Sequence, residues 1–117
     1  MEQVDLDKLP KAKAEEFEFL LIGADEKECP PCVQIRKILQ EKIDRGEVQY
    51  EDVSSEVARM MLTRAKKAEI PKIFAWERKT GETYECDIYL NEEEEEIVLK
   101  CGGQVIAIKR GEGSSAS

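Results

Sequence analysis

The stretch FEFLLIG, residues 17–23, is apolar without a break from Phe19 to Ile22. A strand with one solvated face alternates apolar and polar residues; an uninterrupted run fits a strand covered on both faces. Such a chain must therefore supply layers above and below that strand. After Cys32, the positions Ile35, Ile38, Leu39 and Ile43 recur at helical spacing, with Arg36, Lys37, Gln40 and Glu41 on the other side, until Gly46 stops the pattern. Residues 48–53 read as a second strand. Ser54 or Ser55 can cap a second helix, whose inner stripe is expected at Val57, Met61, Ala65 and Ala68. Strand, helix, strand, helix predicts a mixed α/β sheet with helices packed on its faces.

The remaining chain reads as strands. Ile70 and Pro71 break the second helix, IFAWER begins a strand, and Thr80 and Gly81 join it to TYECDIYL as a hairpin. The glutamate run 92–96 reads as a solvated loop, without the Asp and Gly spacing of a calcium loop. Gly102 and Gly103 separate IVLKC from QVIAIKR, a second hairpin whose turn suits positive φ. Residues 1–14 are expected to form a short helix or an arm. Residues 1–110 are read as one domain and 111–117 as a disordered tail.

Composition narrows the function. Charged residues make up 38% of the 117 and the net charge is -8, which argues against a broad basic surface for nucleic acid or anionic lipid. No apolar run reaches a membrane span, and the first residues lack the apolar middle of a signal peptide, so a cytoplasmic location is expected. The chain has 0 histidines, which excludes mechanisms built on imidazole. Abundant Glu and Lys beside a single asparagine, Asn91, lean toward a thermophilic source, where intracellular disulfides are also more common.

Cysteine chemistry remains, and two of the 4 cysteines stand in ADEKECPPCVQIRKIL. With Cys29 at the start of the helix, Pro30 and Pro31 fall in the first turn, where no N–H acceptor is lost and a fixed φ pre-forms the turn. The unpaired N–H groups and the positive end of the helix dipole favour a thiolate at Cys29. Asp25, Glu26 and Glu28 oppose it through screened, exposed charge, while Lys27 assists, so a thiolate is expected to be the reactive form near neutral pH. Cys29 is thus expected to be the exposed nucleophile. Cys32 shares the face of Ile35 and Leu39, points inward, and can resolve a mixed disulfide.

A Cys-x-x-Cys pair beside a strand–helix–strand pattern is a thioredoxin-like redox signature. CPPCVQIRKIL after FEFLLIG resembles the active-site turn and helix of the glutaredoxins, whose motif is Cys-Pro-Tyr-Cys, and EIPKIF is similar to that family's cis-proline segment. The resemblance covers residues 17–78 and implies a thioredoxin-like fold, here with a C-terminal β-rich extension. It implies a thiol–disulfide oxidoreductase with Cys29 and Cys32 as catalytic residues and no cofactor. It also implies a cis bond between Ile70 and Pro71, whose backbone lies beside the two cysteines and binds an extended substrate. The expected partners are protein or small-molecule disulfides and a reductase or low-molecular-weight thiol. The expected state is a monomer that binds neither nucleic acid nor membrane. Where thioredoxins carry a buried acid, six residues before the first cysteine, this chain has Gly23.

Other readings stay open beside this one. Cys29 and Cys32 can be half of a zinc site completed by Cys86 and Cys101, although the spacings differ from the usual pattern. They can also be an inert bridge in a binding module of the same fold. Cys86 and Cys101 lie equidistant from the centre of the glutamate run, so they are a possible second disulfide across two strands, or else two separate core thiols. Lys72 reads as an exposed, solvated lysine, with contact to an anionic substrate as the alternative. Trp76 reads as core or a surface contact rather than a stacking platform.

Overall fold

The run FEFLLIG forms strand β2 (Phe17–Gly23) in a computed structural model that describes residues 8–111. The elements that follow are α1 (Pro30–Asp44), β3 (Val48–Asp52), α2 (Glu56–Arg64), β4 (Lys72–Glu77), β5 (Thr83–Asn91), β6 (Glu96–Cys101) and β7 (Gln104–Lys109). Ahead of β2 lie the two-residue strand β1 (Lys11–Ala12) and a 3-10 turn at Ala14–Glu16, while the expected leading helix or arm falls largely outside the described residues. The expected tail falls outside the described residues apart from Gly111. One mixed sheet holds all seven strands in the order β1-β7-β6-β5-β4-β2-β3. The architecture is α/β, with two helices and a seven-stranded mixed sheet.

β2 runs parallel to β3 and antiparallel to β4, and its residues face both layers. Phe17, Phe19 and Leu21 pack with Ile35, Ile38 and Leu39 of α1, while Leu20 and Ile22 pack with Ala58 of α2 and Phe74. That two-sided burial is the physical content of the unbroken apolar run. The later strands alternate instead. Ile97 and Leu99 of β6 and Ile106 and Ile108 of β7 join the core under α1, and the residues between them look away from it. Full burial of an aliphatic side chain contributes roughly 1.5–3 kcal/mol, so these alternate positions hold the β5–β7 meander on the sheet.

Two expectations about α2 are corrected. Ser55 is the N-cap, its hydroxyl accepting from the Ala58 N–H at 3.0 Å, and from that start the inward face carries Ala58, Met61 and Leu62. Val57 is 38% exposed. The helix also stops at Arg64 rather than continuing to Ala68, because the Lys66 and Lys67 N–H groups donate to the Glu85 carboxylate, at 2.8 and 3.2 Å, instead of to helix carbonyls. A side chain far along the chain therefore ends this helix.

Both C-terminal hairpins form. Gly102 turns β6 into β7 at φ 66, a left-handed conformation that glycine adopts without penalty. The glutamate run is a turn over residues 92–95, with Glu96 already in β6, and the Arg110 guanidinium donates to the Glu95 carboxylate at 2.7 Å. Cys86 and Cys101 are direct cross-strand partners on β5 and β6 and are joined by a disulfide. Closing a loop of this size is worth about 3 kcal/mol by chain entropy, and less here because the hairpin already restrains it. The double variant Cys86→Ser/Cys101→Ser should lose about 2 kcal/mol in denaturant unfolding while keeping the same fold by circular dichroism.

Candidate functional site

The end of β2, the N-terminus of α1 and the loop into β4 meet at one place. The chain leaves β2 through Ala24 and makes a tight turn built by Asp25. The Asp25 carbonyl accepts from the Cys29 N–H at 2.8 Å, and its carboxylate accepts from the Lys27 and Glu28 N–H groups at 3.1 and 3.2 Å. Of the acids before the motif, Asp25 is thus a turn-former. Cys29 is the N-cap of α1, with the prolines in the first turn and its carbonyl accepting from the Cys32 N–H at 3.0 Å.

Cys29 and Cys32 are joined by a disulfide, with Cα atoms 5.3 Å apart. Cys32 points inward at 1% exposure, and Ala24, Val53 and Ile70 complete the cluster around the pair. The expected exposure of Cys29 is corrected: it is 4% exposed. Its sulfur is bonded to the inward-facing Cys32, in a cluster with Ala24 against which Val53 and Ile70 pack, and its own segment does not reveal the positions of those two residues. Val53 is held there by donating its N–H to the Gly23 carbonyl at 2.8 Å.

Gly23 itself is a space requirement. A Cβ at this position would stand 3.1 Å from the Cys32 sulfur and 3.2 Å from its Cβ. Alanine normally gains roughly 0.5–1 kcal/mol over glycine within a strand, but crowding a packed site costs roughly 1–3 kcal/mol, and Cys32 is fixed by its helix and its bridge. Crowding should win. Gly23→Ala is expected to lower stability by about 1 kcal/mol in urea unfolding.

The Ile70–Pro71 peptide is cis, and Ile70 lies against the disulfide. Behind it the solvated-lysine expectation for Lys72 is corrected. Lys72 is 3% exposed and donates to the Glu85 carboxylate at 2.6 Å, a diagonal pair between β4 and β5 that a lone surface lysine would not form. Glu85 thereby holds three donors: Lys66 N–H, Lys67 N–H and the Lys72 ammonium. Burial pushes its carboxyl up, but the Lys72 hydrogen bond and the two backbone N–H groups outweigh burial and hold it down at about 2. This carboxylate ties down the loop that carries Ile70 and Pro71. Sequence reading missed Glu85, because nothing local marks it among many glutamates.

Further from the motif, Arg36 of α1 lies over the Tyr50 ring at 4.4 Å, fastening the helix to β3. Trp76 is half-buried against Phe74. The four sulfurs are divided between two bridges, and among the described residues no group of three or more Cys, Asp or Glu converges as a metal site. Nor is any described helix long and apolar enough to cross a membrane.

A groove of about 540 Å³ opens beside the motif. Its lining includes Pro31, Ile70 and Pro71 together with the β5 residues from Asp87 to Leu90. Comparison with protein-family models, with curated proteins and with solved structures finds no match for the chain.

Proposed function

We propose that the protein is a dithiol–disulfide oxidoreductase of thioredoxin-like fold, nearest in its motifs to the glutaredoxins. The observation that carries this reading is the Cys29–Cys32 bridge at the N-terminus of α1, with Ile70 packed upon it and a groove leading from Pro31 and Pro71. A purely structural bridge has no need of a helix N-terminus, of a sulfur at the N-cap, or of an adjoining groove.

The reaction runs from the reduced pair. The Cys29 thiolate attacks one sulfur of a substrate disulfide, the substrate S–S bond breaks, and the other substrate sulfur leaves as a thiolate that takes up a proton. Cys32, deprotonated, then attacks the Cys29 sulfur of the mixed disulfide. The second substrate sulfur leaves, and the protein ends with the Cys29–Cys32 bond. Two electrons pass from protein to substrate, and a reductase or a low-molecular-weight thiol returns them. The positive end of the α1 dipole favours the Cys29 thiolate that makes the first attack, whereas in the second attack Cys29 is the sulfur attacked and the substrate thiolate is the leaving group. The reading includes a monomer working in the cytoplasm.

One observation favours a different class. Cys29 is buried in the bridged state, as expected of a binding module with structural cysteines. Redox titration separates the two. In thiol buffers of graded potential, alkylation and mass analysis should find Cys29 and Cys32 reduced together as a two-electron couple in the folded protein, with Cys86–Cys101 still bridged. A Cys29–Cys32 bridge that opens only on unfolding would reject the proposal. Zinc bound at one equivalent by the reduced protein would reject it in favour of metal.

A further inference from the structure

The ladder between β4 and β5 is shorter than β5. Pairing with β4 runs from Trp76 opposite Thr83 to Ile73 opposite Cys86 and stops there, whereas pairing with β6 continues to Asn91. Residues 87–91 therefore have a strand neighbour on one side only among the described residues. Their other edge faces the groove, across from Ile70 and Pro71. Backbone N–H and C=O groups along such an edge are a template for another strand, and proteins that do not use an edge of this kind cover, bulge or shorten it. Among the described residues it is unpaired, and it lines the same groove as Pro31, Ile70 and Pro71.

We infer that this half-edge of β5 is a docking strand for the substrate, and that the substrate is an extended polypeptide carrying basic residues. The inference rests on the oxidoreductase reading and names its substrate class. Strand addition accounts for the register: a segment laid in the groove pairs with residues 87–91 where β4 leaves off, and its disulfide reaches the motif at Pro31. Five residues of strand span about 16 Å, the length of the half of β5 that β4 leaves unpaired. Ile88 and Leu90 pack inward against the core, while Asp87 and Tyr89 are exposed, so the edge can be approached without unfolding anything.

Charge decides the class of segment. Lys72 is already committed to Glu85, leaving Glu69 and Asp87 against Lys67 in the groove lining, with Lys100 the cross-strand partner of Asp87, and the exposed Glu92, Glu93 and Glu94 follow in the turn after β5. Lysine or arginine in the distal half of the segment meets this acidic end, and an acidic segment is repelled by it.

The test uses the full chain and synthetic peptides. Each carries one cysteine as a mixed disulfide with a small aromatic thiol, with a five-residue arm on either side of that cysteine in separate peptides. For one of the two placements a lysine-bearing arm should raise kcat/KM about tenfold over the armless disulfide, N-methylation of alternate arm amides should abolish the gain, and a glutamate arm should fall below the armless value. Equal kcat/KM for all arms overturns the inference while leaving the dithiol reading intact. A serine-for-cysteine peptide keeps the docking test independent of redox chemistry. Amide shifts at residues 87–91 on its addition support the edge, and their absence overturns it even if every disulfide is turned over. Protection of those amides in the free protein, by pairing with residues 1–7 or with a second copy, also overturns it.

Discussion

Cys29→Ser reduces disulfide turnover to the uncatalysed rate, a fall of more than about 10³-fold, because a serine hydroxyl at neutral pH is not an anion and cannot exchange with a disulfide. Cys32→Ser behaves differently. Its Cys29 still attacks, but no thiolate lies beneath to break the mixed disulfide, so the protein accumulates with one substrate half attached. Intact mass measured after mixing with a disulfide peptide should show the adduct on Cys32→Ser and none on Cys29→Ser. The asymmetry follows from placement: Cys29 is the N-cap of α1, whereas Cys32 lies one turn on, directed inward beneath Gly23. An adduct that accumulates equally on both variants, or only on Cys29→Ser, would contradict the assignment of roles.

Glu85→Ala is the second large effect. It leaves the Lys72 ammonium buried without its carboxylate and removes the acceptor of two loop N–H groups. Breaking one side of a fully buried pair costs roughly 3–5 kcal/mol, and because the Glu85 side chain is 19% exposed the loss should be about 2–3 kcal/mol. Within the roughly 5–15 kcal/mol typical of a domain, the protein stays folded but weakened. Lys72→Met/Glu85→Leu should recover most of that stability, since no charge is then buried alone, yet it leaves the loop before Pro71 untied. Turnover of a protein disulfide should therefore fall in both variants, although unfolding free energy falls in only one.

The same carboxylate sets an acid limit. Its folded value of about 2 lies below the ordinary 4.5, so its contribution is complete above the ordinary value and disappears as pH falls from there toward 2. Urea unfolding at pH 7 and pH 3 should show a loss of stability in the native protein that Glu85→Gln lacks over this window. An equal acid loss in both would place the effect on other carboxylates.

Which of these features could be read from residues alone follows from the range of the interactions that create them. The two-sided burial of β2, the start of α1 at the prolines and the Gly102 turn each leave a mark within a few positions of the chain, and the apolar pattern or φ preference reveals them. The end of α2 is different. It is set by Glu85, on another strand, and helical periodicity alone runs on to Ala68. Lys72 looks solvated in its own segment because its partner lies a hairpin away. The burial of Cys29 likewise depends on Val53 and Ile70, brought in by β3 and the loop before β4. The Cys86–Cys101 register could be placed from the centre of the glutamate run, since an antiparallel pair is symmetric about its turn, but a register slip of one residue would have separated the sulfurs.

The central claim is that the buried bridge at the start of α1 is a working dithiol. Its most direct test is the initial rate at which catalytic amounts of the native protein accelerate reduction of a protein disulfide such as insulin by excess small dithiol. The account predicts multiple turnovers that are lost in Cys29→Ser and retained in Cys86→Ser/Cys101→Ser. A rate no greater than that of the small dithiol alone, from protein shown to be folded with Cys29 and Cys32 reduced, would contradict it.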